Sequence, residues 1–153
     1  MEKPNNMIAM GTVNIREFFE QWVEWTKPIH KLRPRECVVA ARYLEKHYKL
    51  SKVVSDKNIL DQILFSNETR AEIRNDLGMD SNSLQVIMTS LRKANVIIQE
   101  HRNKHARTPM LNPRFIPQVN EETGTFQLLM FWRIAPTPEE SPEGVGQESG
   151  SQY

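Results

Sequence analysis

The sequence between residues 77 and 113, LGMDSNSLQVIMTSLRKANVIIQEHRNKHARTPMLNP, predicts a turn, an amphipathic helix, a short strand, a basic loop and a returning strand, in that order. Gly78 tolerates positive φ at the turn, and Asp80 or Ser81 begins the helix. Four apolar residues at the spacing i, i+3, i+4 and i+7 predict its buried stripe: Leu84, Ile87, Met88 and Leu91. We therefore expect a mainly α fold with a small antiparallel β hairpin (α+β).

The opposite face of this helix carries polar side chains. At 100° per residue it centres on Asn82, Val86, Thr89 and Lys93, is flanked by Gln85 and Arg92, and has Ser81 and Ser83 near its start. Asn and Gln can bond adenine bidentately, Val and Thr methyl groups can contact the thymine methyl, and Arg and Lys reach guanine or phosphate. A solvated helix face is the alternative, and the neighbouring hairpin favours a nucleic-acid surface.

Residues 92–107 are strongly basic. They contain one acid, Glu100, against five basic residues: Arg92, Lys93, Arg102, Lys104 and Arg107. Such a loop suits contact with phosphate, and a solvated hairpin tip is the alternative. His101 and His105 are four residues apart, but no helix or third ligand accompanies them, so we predict no metal site.

Two helices are predicted in the N-terminal part of the chain. Asn14 caps the first, with Glu17 at the capping-box spacing, and Pro28 ends it. Its apolar stripe comprises Ile15, Phe18, Phe19, Trp22 and Val23. The second begins at Pro34 and runs to about Tyr48, with a buried face of Val38, Ala41 and Leu44 and with Cys37 as a small core residue.

Two shorter helices are predicted to follow. One starts at Asp56 and directs four apolar side chains inward: Ile59, Leu60, Ile63 and Leu64. The other is capped by Ser66, and its Ile73 and Leu77 pack against the core.

Residues 125–134, TFQLLMFWRI, predict a strand that follows a turn at Gly124. One face would carry Phe126, Leu128, Met130, Trp132 and Ile134, and the other Leu129 and Phe131. A strand that is apolar on both faces is either central in a sheet or covered by a second chain. With Phe18, Phe19, Trp22 and Trp25 of the first helix it predicts a homodimer or protein-docking surface, unless these residues close the monomer core.

Length and composition favour one domain with appendages. The chain has 153 residues, of which 39% are hydrophobic and 25% charged. We predict a flexible arm over residues 1–13, one domain over residues 14–134 and a disordered acidic tail over residues 135–153. No apolar run suggests a membrane span, and with a single cysteine we expect a cytoplasmic protein.

The net charge of +1 hides an uneven distribution. The tail contains four Glu and no Lys or Arg, so the rest of the chain carries 20 basic side chains against 15 acidic ones, a net charge of +5. A basic body suits a polyanionic partner.

The block from LRPRECVVAARYL through LGMDSNSLQVIMTSLRKANVI to MLNPRFIP resembles winged helix-turn-helix modules of the MarR type. In its compact helix-to-wing junction and the NP after the wing it also resembles plasmid replication initiators of the RepL family. The resemblance covers roughly residues 32–117 and implies a winged helix with an N-terminal helical extension. Where many winged helices have Gly before the wing strand, this chain has Asn95, which can adopt the left-handed conformation.

The resemblance also implies a DNA site. In these families the helix that matches Ser81 to Lys93 lies in the major groove, and the wing that matches Glu100 to Thr108 touches phosphate or the minor groove. The implied DNA-binding residues are Ser81, Asn82, Gln85, Thr89, Arg92 and Lys93 on the helix, and Arg102, Lys104 and Arg107 on the wing.

The chain contains no Walker loop, dinucleotide-binding glycine pattern, HExxH, GxSxG or cysteine pair, so we expect no enzyme activity and no cofactor. The expected function is binding of double-stranded DNA in replication initiation or transcription regulation of plasmid or phage type, in the cytoplasm of a bacterial host. The alternative is a structural or assembly protein of a phage particle or replication complex, located in the virion if it is a particle component.

Overall fold

A computed structural model describes Gly11 and residues 13–101, 107–127 and 133–136. Its helices are α1 (Ile15–Trp25), α2 (Lys27–His30), α3 (Pro34–Ser51), α4 (Lys57–Leu64), α5 (Asn67–Leu77) and α6 (Ser81–Lys93). Its strands are β1 (Ile97–His101), β2 (Arg107–Leu111), β3 (Gln118–Asn120) and β4 (Thr125–Gln127), with a 3-10 turn at Pro113–Phe115 between β2 and β3. The described chain is therefore mainly helical with small antiparallel sheets, which confirms the coarse fold prediction.

The chain divides into two compact units, residues 1–117 and residues 118–153. Most of the predicted arm, the tip of the first hairpin with Arg102 and Lys104, and the predicted acidic tail from residue 137 onward lie outside the described residues.

Polar caps fix the starts of four helices. The Asn14 side chain accepts a hydrogen bond from the Glu17 N–H at 2.8 Å, and Asp80 accepts one from the Ser83 N–H at 2.7 Å. Asp56 and Ser66 cap α4 and α5 in the same way. These contacts satisfy N–H groups that have no partner within the helix, and they confirm the predicted starts.

The prediction that Pro28 ends the first helix is wrong. Helix α1 already ends at Trp25, and Pro28 lies in the first turn of the separate short helix α2. A proline fits there because its fixed φ is helical and its missing N–H would have had no partner.

Helix α3 is packed against α1, α4 and α6. Its predicted buried face is confirmed for Ala41 and Leu44, whereas Val38 is only half-buried. The buried set also includes Val39, Ala40 and Tyr43, because helices cover α3 on more than one side. Cys37 is buried as predicted, and burial raises the pKa of its thiol.

Two apolar residues of α4 do not face the core. Leu60 and Leu64 are buried, but Ile59 is 49% and Ile63 is 37% exposed, so the prediction that both isoleucines lie inward is wrong. Helix α4 contacts α3 and β2. Leu60 and Leu64 are four residues apart and lie on the same face of the helix, and they are the two leucines that form this contact face.

The aromatic residues of α1 mainly close the core of the first unit. Phe19 and Trp22 are 1% and 4% exposed, and Trp22 Nε1 donates a hydrogen bond to the Phe115 carbonyl at 2.8 Å. Phe18 and Trp25 are half-buried. The predicted docking surface on the N-terminal helix therefore cannot include Phe19 and Trp22, since neighbouring elements of the same chain already cover them.

Strands β1 and β2 form an antiparallel hairpin in which Ile97 lies opposite Leu111 and His101 opposite Arg107. Asn95 adopts the predicted left-handed conformation, with φ of 61°, between α6 and β1. The Asn112 side chain donates a hydrogen bond to the Asn95 carbonyl at 2.9 Å and closes the base of the hairpin.

In the second unit, β3 pairs with β4, and Gly124 has a φ of 66° in the turn between them. The strand predicted for residues 125–134 begins at Thr125 as expected. Residues 128–132 lie outside the described part of the chain, and Arg133 and Ile134 belong to no strand, so the predicted end is wrong. The described pairing stops at Gln127, opposite Gln118, the first residue of β3.

Candidate nucleic-acid interface

The candidate interface is built on α6, which follows α5 after a three-residue turn. Gly78 adopts a φ of 63°, and the Met79 N–H bonds back to the Arg74 carbonyl at 3.0 Å. The predicted apolar stripe of α6 is fully confirmed, since Leu84, Ile87, Met88 and Leu91 are all buried. This anchoring fixes which side of α6 faces outward.

The outward face carries most of the side chains that were predicted from the sequence, whereas Ser83 and Arg92 are half-buried. The exposed residues are Ser81, Asn82, Gln85, Val86, Thr89 and Lys93. Val86 is 67% exposed at the centre of the face. The Thr89 hydroxyl donates to the Gln85 carbonyl at 3.1 Å, so its proton is used within the helix.

Arg92 is placed differently from the rest of the predicted set. It is half-buried, and its Nε is enclosed without a hydrogen-bond partner in the described chain. Burial raises the pKa of the neighbouring Tyr43 hydroxyl, and the positive charges of Arg70 and Arg92 oppose that shift. Arg92 therefore lies toward α3 at the edge of the outward face, with only part of its side chain accessible.

Arg70 of α5 belongs to the site and was not predicted from the sequence. Its Nη1 donates a hydrogen bond to Gln85 Oε1 at 3.1 Å, which joins α5 to the outward face of α6. The only hint in the sequence is that Arg70 and Arg74 are four residues apart, and so share one face of α5. Which helix that face meets depends on tertiary packing.

The acidic residues of α5 lie on its other side. Glu72 and Asp76 are about 200° around the helix from Arg70 and Arg74 at 100° per residue. Glu72 accepts from Lys46 Nζ at 2.8 Å. Asp76 accepts from Arg42 Nε at 2.7 Å and lies 3.3 Å from Arg16 Nη1. The hydrogen bond from Arg42, together with the Arg16 charge, lowers the pKa of Asp76.

Glu45 of α3 is the buried centre of the same ion-pair network. It accepts from Arg16 Nε at 3.0 Å and from Lys49 Nζ at 2.9 Å. Burial alone would raise the pKa of Glu45, but the bonds from Lys49 and Arg16 outweigh it and lower the pKa. The network therefore stays ionised at neutral pH and uses its cations internally.

The cations that form the described ion pairs are thus distinct from the cations of α5 and α6. Across the described residues, the seven ion pairs use Arg16, Arg33, Arg42, Lys46 and Lys49. None of these pairs involves the cations of α5 and α6, which are Arg70, Arg74, Arg92 and Lys93. Nearby, Asp80 is charged, because its bond from the Ser83 N–H lowers its pKa, and Arg35 lies close enough to contribute.

The β1–β2 hairpin contributes less to the described site. Arg107 is the first residue of β2, opposite His101. Arg102 and Lys104 lie outside the described residues, as does His105. In the segments that the structure describes, no group of three or more His, Cys, Asp or Glu side chains could hold a metal ion.

Comparison with known proteins identifies no relative. No protein-family model matches the chain, no curated protein matches it, and no solved structure matches it. Among the described helices, none has the length and apolar character required to cross a bilayer.

Proposed function

We propose that this protein is a non-enzymatic winged-helix protein that binds double-stranded DNA, with α6 in the major groove and the β1–β2 hairpin as the wing. Replication initiation or transcription regulation of plasmid or phage type is the proposed role. The observation that carries the proposal is the set of cations without acidic partners beside the outward face of α6.

The charge arrangement supports this surface over the one formed by the α1–α3–α5 ion pairs. Lys46 and Lys49 are committed to Glu72 and Glu45, so phosphate would have to compete with carboxylates for them. Lys93 and Arg70 form no ion pair within the described chain, so phosphate can pair with them at little cost. A protein that neutralises phosphates releases counterions, and its affinity then falls steeply with salt.

The outward side chains supply chemistry for base contacts. Asn82 and Gln85 are exposed in the first two turns of α6, where a helix entering the major groove brings its side chains to the base edges. Val86 offers an apolar contact for a thymine methyl. The order of the elements, the exposure of the side chains and the distribution of charge therefore all support the outward face of α6 as the DNA-binding surface.

The proposal is tested by fluorescence anisotropy with a labelled random-sequence duplex at about 0.05 M and 0.15 M salt. Non-specific binders typically show dissociation constants of roughly 10⁻⁴ to 10⁻⁶ M at physiological salt. We expect salt-sensitive binding that Lys93→Ala weakens. Lys49→Ala is the matched control, because it removes the same charge from a side chain already paired with Glu45. Absence of binding at both salt concentrations would refute the proposal.

A structural or assembly role is the second candidate, favoured by exposed apolar side chains. Val86 is 67% exposed, and Ile59 and Ile63 share an exposed side of α4. Such residues suit contact with another protein. If this role holds, Ile59→Glu with Ile63→Glu would change the sedimentation coefficient of the protein or its assemblies, and Lys93→Ala would not.

A further inference from the structure

The short segment that joins α2 to α3 is basic and exposed. Residues 25–35 contain four Lys or Arg side chains and no Asp or Glu. Three of these cations, Lys31, Arg33 and Arg35, are exposed to solvent. Arg33 Nε lies 3.9 Å from a Glu36 oxygen. Lys31 and Arg35 form no ion pair among the residues that the structure describes, so a phosphate would not have to displace a carboxylate from them.

Hydrogen bonds hold the backbone of this segment in place. Lys31 ends α2 in the left-handed conformation, with a φ of 55°. The Leu32 N–H donates to Nδ1 of the buried His30 at 2.9 Å. The Arg33 N–H donates to the Glu36 carboxylate at 2.9 Å. A segment that is already ordered loses less conformational freedom when it binds a partner.

The start of α3 and the helix α5 border α6 on different sides. Helix α3 packs against α6. A backbone N–H lowers the pKa of the Glu36 carboxyl and the Ser90 hydroxyl lowers it further, which places Ser90 beside the start of α3. On the other side, Gln85 accepts a hydrogen bond from Arg70 of α5 at 3.1 Å. Gln85 and Ser90 are about 140° apart around the helix, and the exposed Val86 lies between them.

Arg35 also lies near the start of α6. The bond from the Ser83 N–H is the main cause of the lowered pKa of Asp80, the N-cap of α6, and the charge of Arg35 contributes to it. Arg35 and Asp80 do not form an ion pair in the described chain. Because the helix dipole also stabilises a carboxylate at a helix N-terminus, Asp80 offsets the charge of Arg35 only in part.

A helix in the major groove has phosphates on both sides of it. The groove is about 12 Å wide, close to the diameter of an α-helix with its side chains. Lys and Arg side chains contact these phosphates and hold the helix in position without reading sequence. Cations along both edges of α6 therefore match the two strands that border the groove.

We infer that Lys31 and Arg35 form a phosphate-binding site at the α3 edge of α6, opposite Arg70, and contact the DNA strand on that side. The inference rests on the proposed function and adds to it a contact outside α5, α6 and the β1–β2 hairpin. The basic segment then holds α6 in register while its outward side chains meet the bases.

The test measures how steeply the affinity for DNA falls with salt. Anisotropy of a labelled random-sequence duplex is recorded with the full-length protein between about 0.05 M and 0.2 M salt. The double variant is Lys31→Asn with Arg35→Gln, because Asn tolerates the left-handed conformation and Gln is a good helix former. The matched control is Lys49→Gln with Lys52→Gln, which removes the same charge at the other end of α3.

In the double variant the slope of log affinity against log salt concentration should be less steep by about 1.8, because each phosphate contact contributes about 0.9. Arg35→Gln alone should account for about half of that change. Arg35→Lys keeps the positive charge and should keep the wild-type slope, as should the control.

A wild-type slope in the double variant, or an equal change in the control, would overturn the inference while leaving DNA binding intact. If the wild type binds no duplex even at low salt, the proposed function fails and the inference fails with it.

Discussion

Glu45 is the buried centre of an ion-pair network that links three helices. It is 4% exposed, yet its charge is stabilised by Arg16 of α1 and Lys49 of α3, while Arg16 also reaches Asp76 of α5. A carboxylate in this setting stays ionised because two cationic donors offset its desolvation. The cations that serve it already have carboxylate partners, with which a phosphate would have to compete.

We predict that Glu45→Gln lowers the free energy of unfolding by about 1 kcal/mol at pH 7. The effect is small for a buried carboxylate because its partners, Arg16 and Lys49, are exposed to solvent, which screens their charges. Folding lowers the pKa of Glu45 from its usual 4.5, so its contribution is present above that value and is lost as the pH falls through the folded pKa. Urea unfolding at pH 7 and near pH 3 measures this. The difference in the free energy of unfolding between Glu45→Gln and the wild type should be smaller near pH 3 than at pH 7.

Glu24→Gln is the control for that measurement, since Glu24 is exposed and forms no ion pair in the described part of the chain. A Glu45→Gln effect no larger than that of Glu24→Gln would contradict the role assigned to the network.

Gly78 makes the sharp turn between α5 and α6 possible. We predict that Gly78→Ala destabilises the protein by about 1 kcal/mol, because alanine is strained at a φ of 63°. No atom outside the neighbouring residues lies within 4 Å of an added Cβ, so the cost would be conformational and not a clash. Thermal unfolding measures it. Asn95→Gly, at a φ of 61°, should not destabilise, and equal losses at both sites would argue against this explanation.

At the scale of the element, α6 has two faces with opposite tolerance to substitution. We predict that Met88→Ala costs about 3 kcal/mol, because Met88 is 0% exposed and the substitution leaves a cavity. Val86→Ala should change stability by less than about 0.5 kcal/mol. Urea unfolding of the two variants compares them directly. A large loss for Val86→Ala would mean that the outward face is covered.

The sequence predicted the elements that depend on neighbours along the chain. Asn14, Asp56, Ser66 and Asp80 were identified as caps or helix starts, since a cap needs only a short polar side chain and the next few N–H groups. The buried stripe of α6 was also correct, because a regular spacing determines a helix face.

Features that depend on tertiary packing could not be predicted in this way. The apolar spacing of α4 includes Ile59 and Ile63, but how much of a helix is covered depends on its partners. The sequence left open whether Phe19 and Trp22 form a docking surface or close the core, and the structure places both in the core. Arg70 entered the candidate site only because α5 brings it within 3.1 Å of Gln85.

For the whole molecule, charge distribution is more informative than net charge. The sum is +1, but four Glu lie among residues 137–153, which contain no Lys or Arg. If the basic face binds phosphate, these carboxylates compete with DNA for it through their charge.

We predict that deletion of residues 137–153 tightens binding of a random-sequence duplex at low salt, and that the gain declines at 0.15 M salt because screening increases. Anisotropy titrations measure it. A full-length control that changes Glu139, Glu140, Glu143 and Glu148 to Gln should reproduce the effect. If deletion tightens binding and the Gln variant does not, charge is not the cause.

The most direct test of the proposal is to observe which backbone amides respond to DNA. In ¹⁵N–¹H correlation spectra recorded during titration with a short duplex, we expect the largest shift changes along Ser81–Lys93 and at Arg70, and small changes at Lys46 and Lys49. Changes centred on the α1–α3–α5 ion-pair network, or none at DNA concentrations of about 10⁻⁴ M at low salt, would contradict the proposal that α6 is the DNA-binding element.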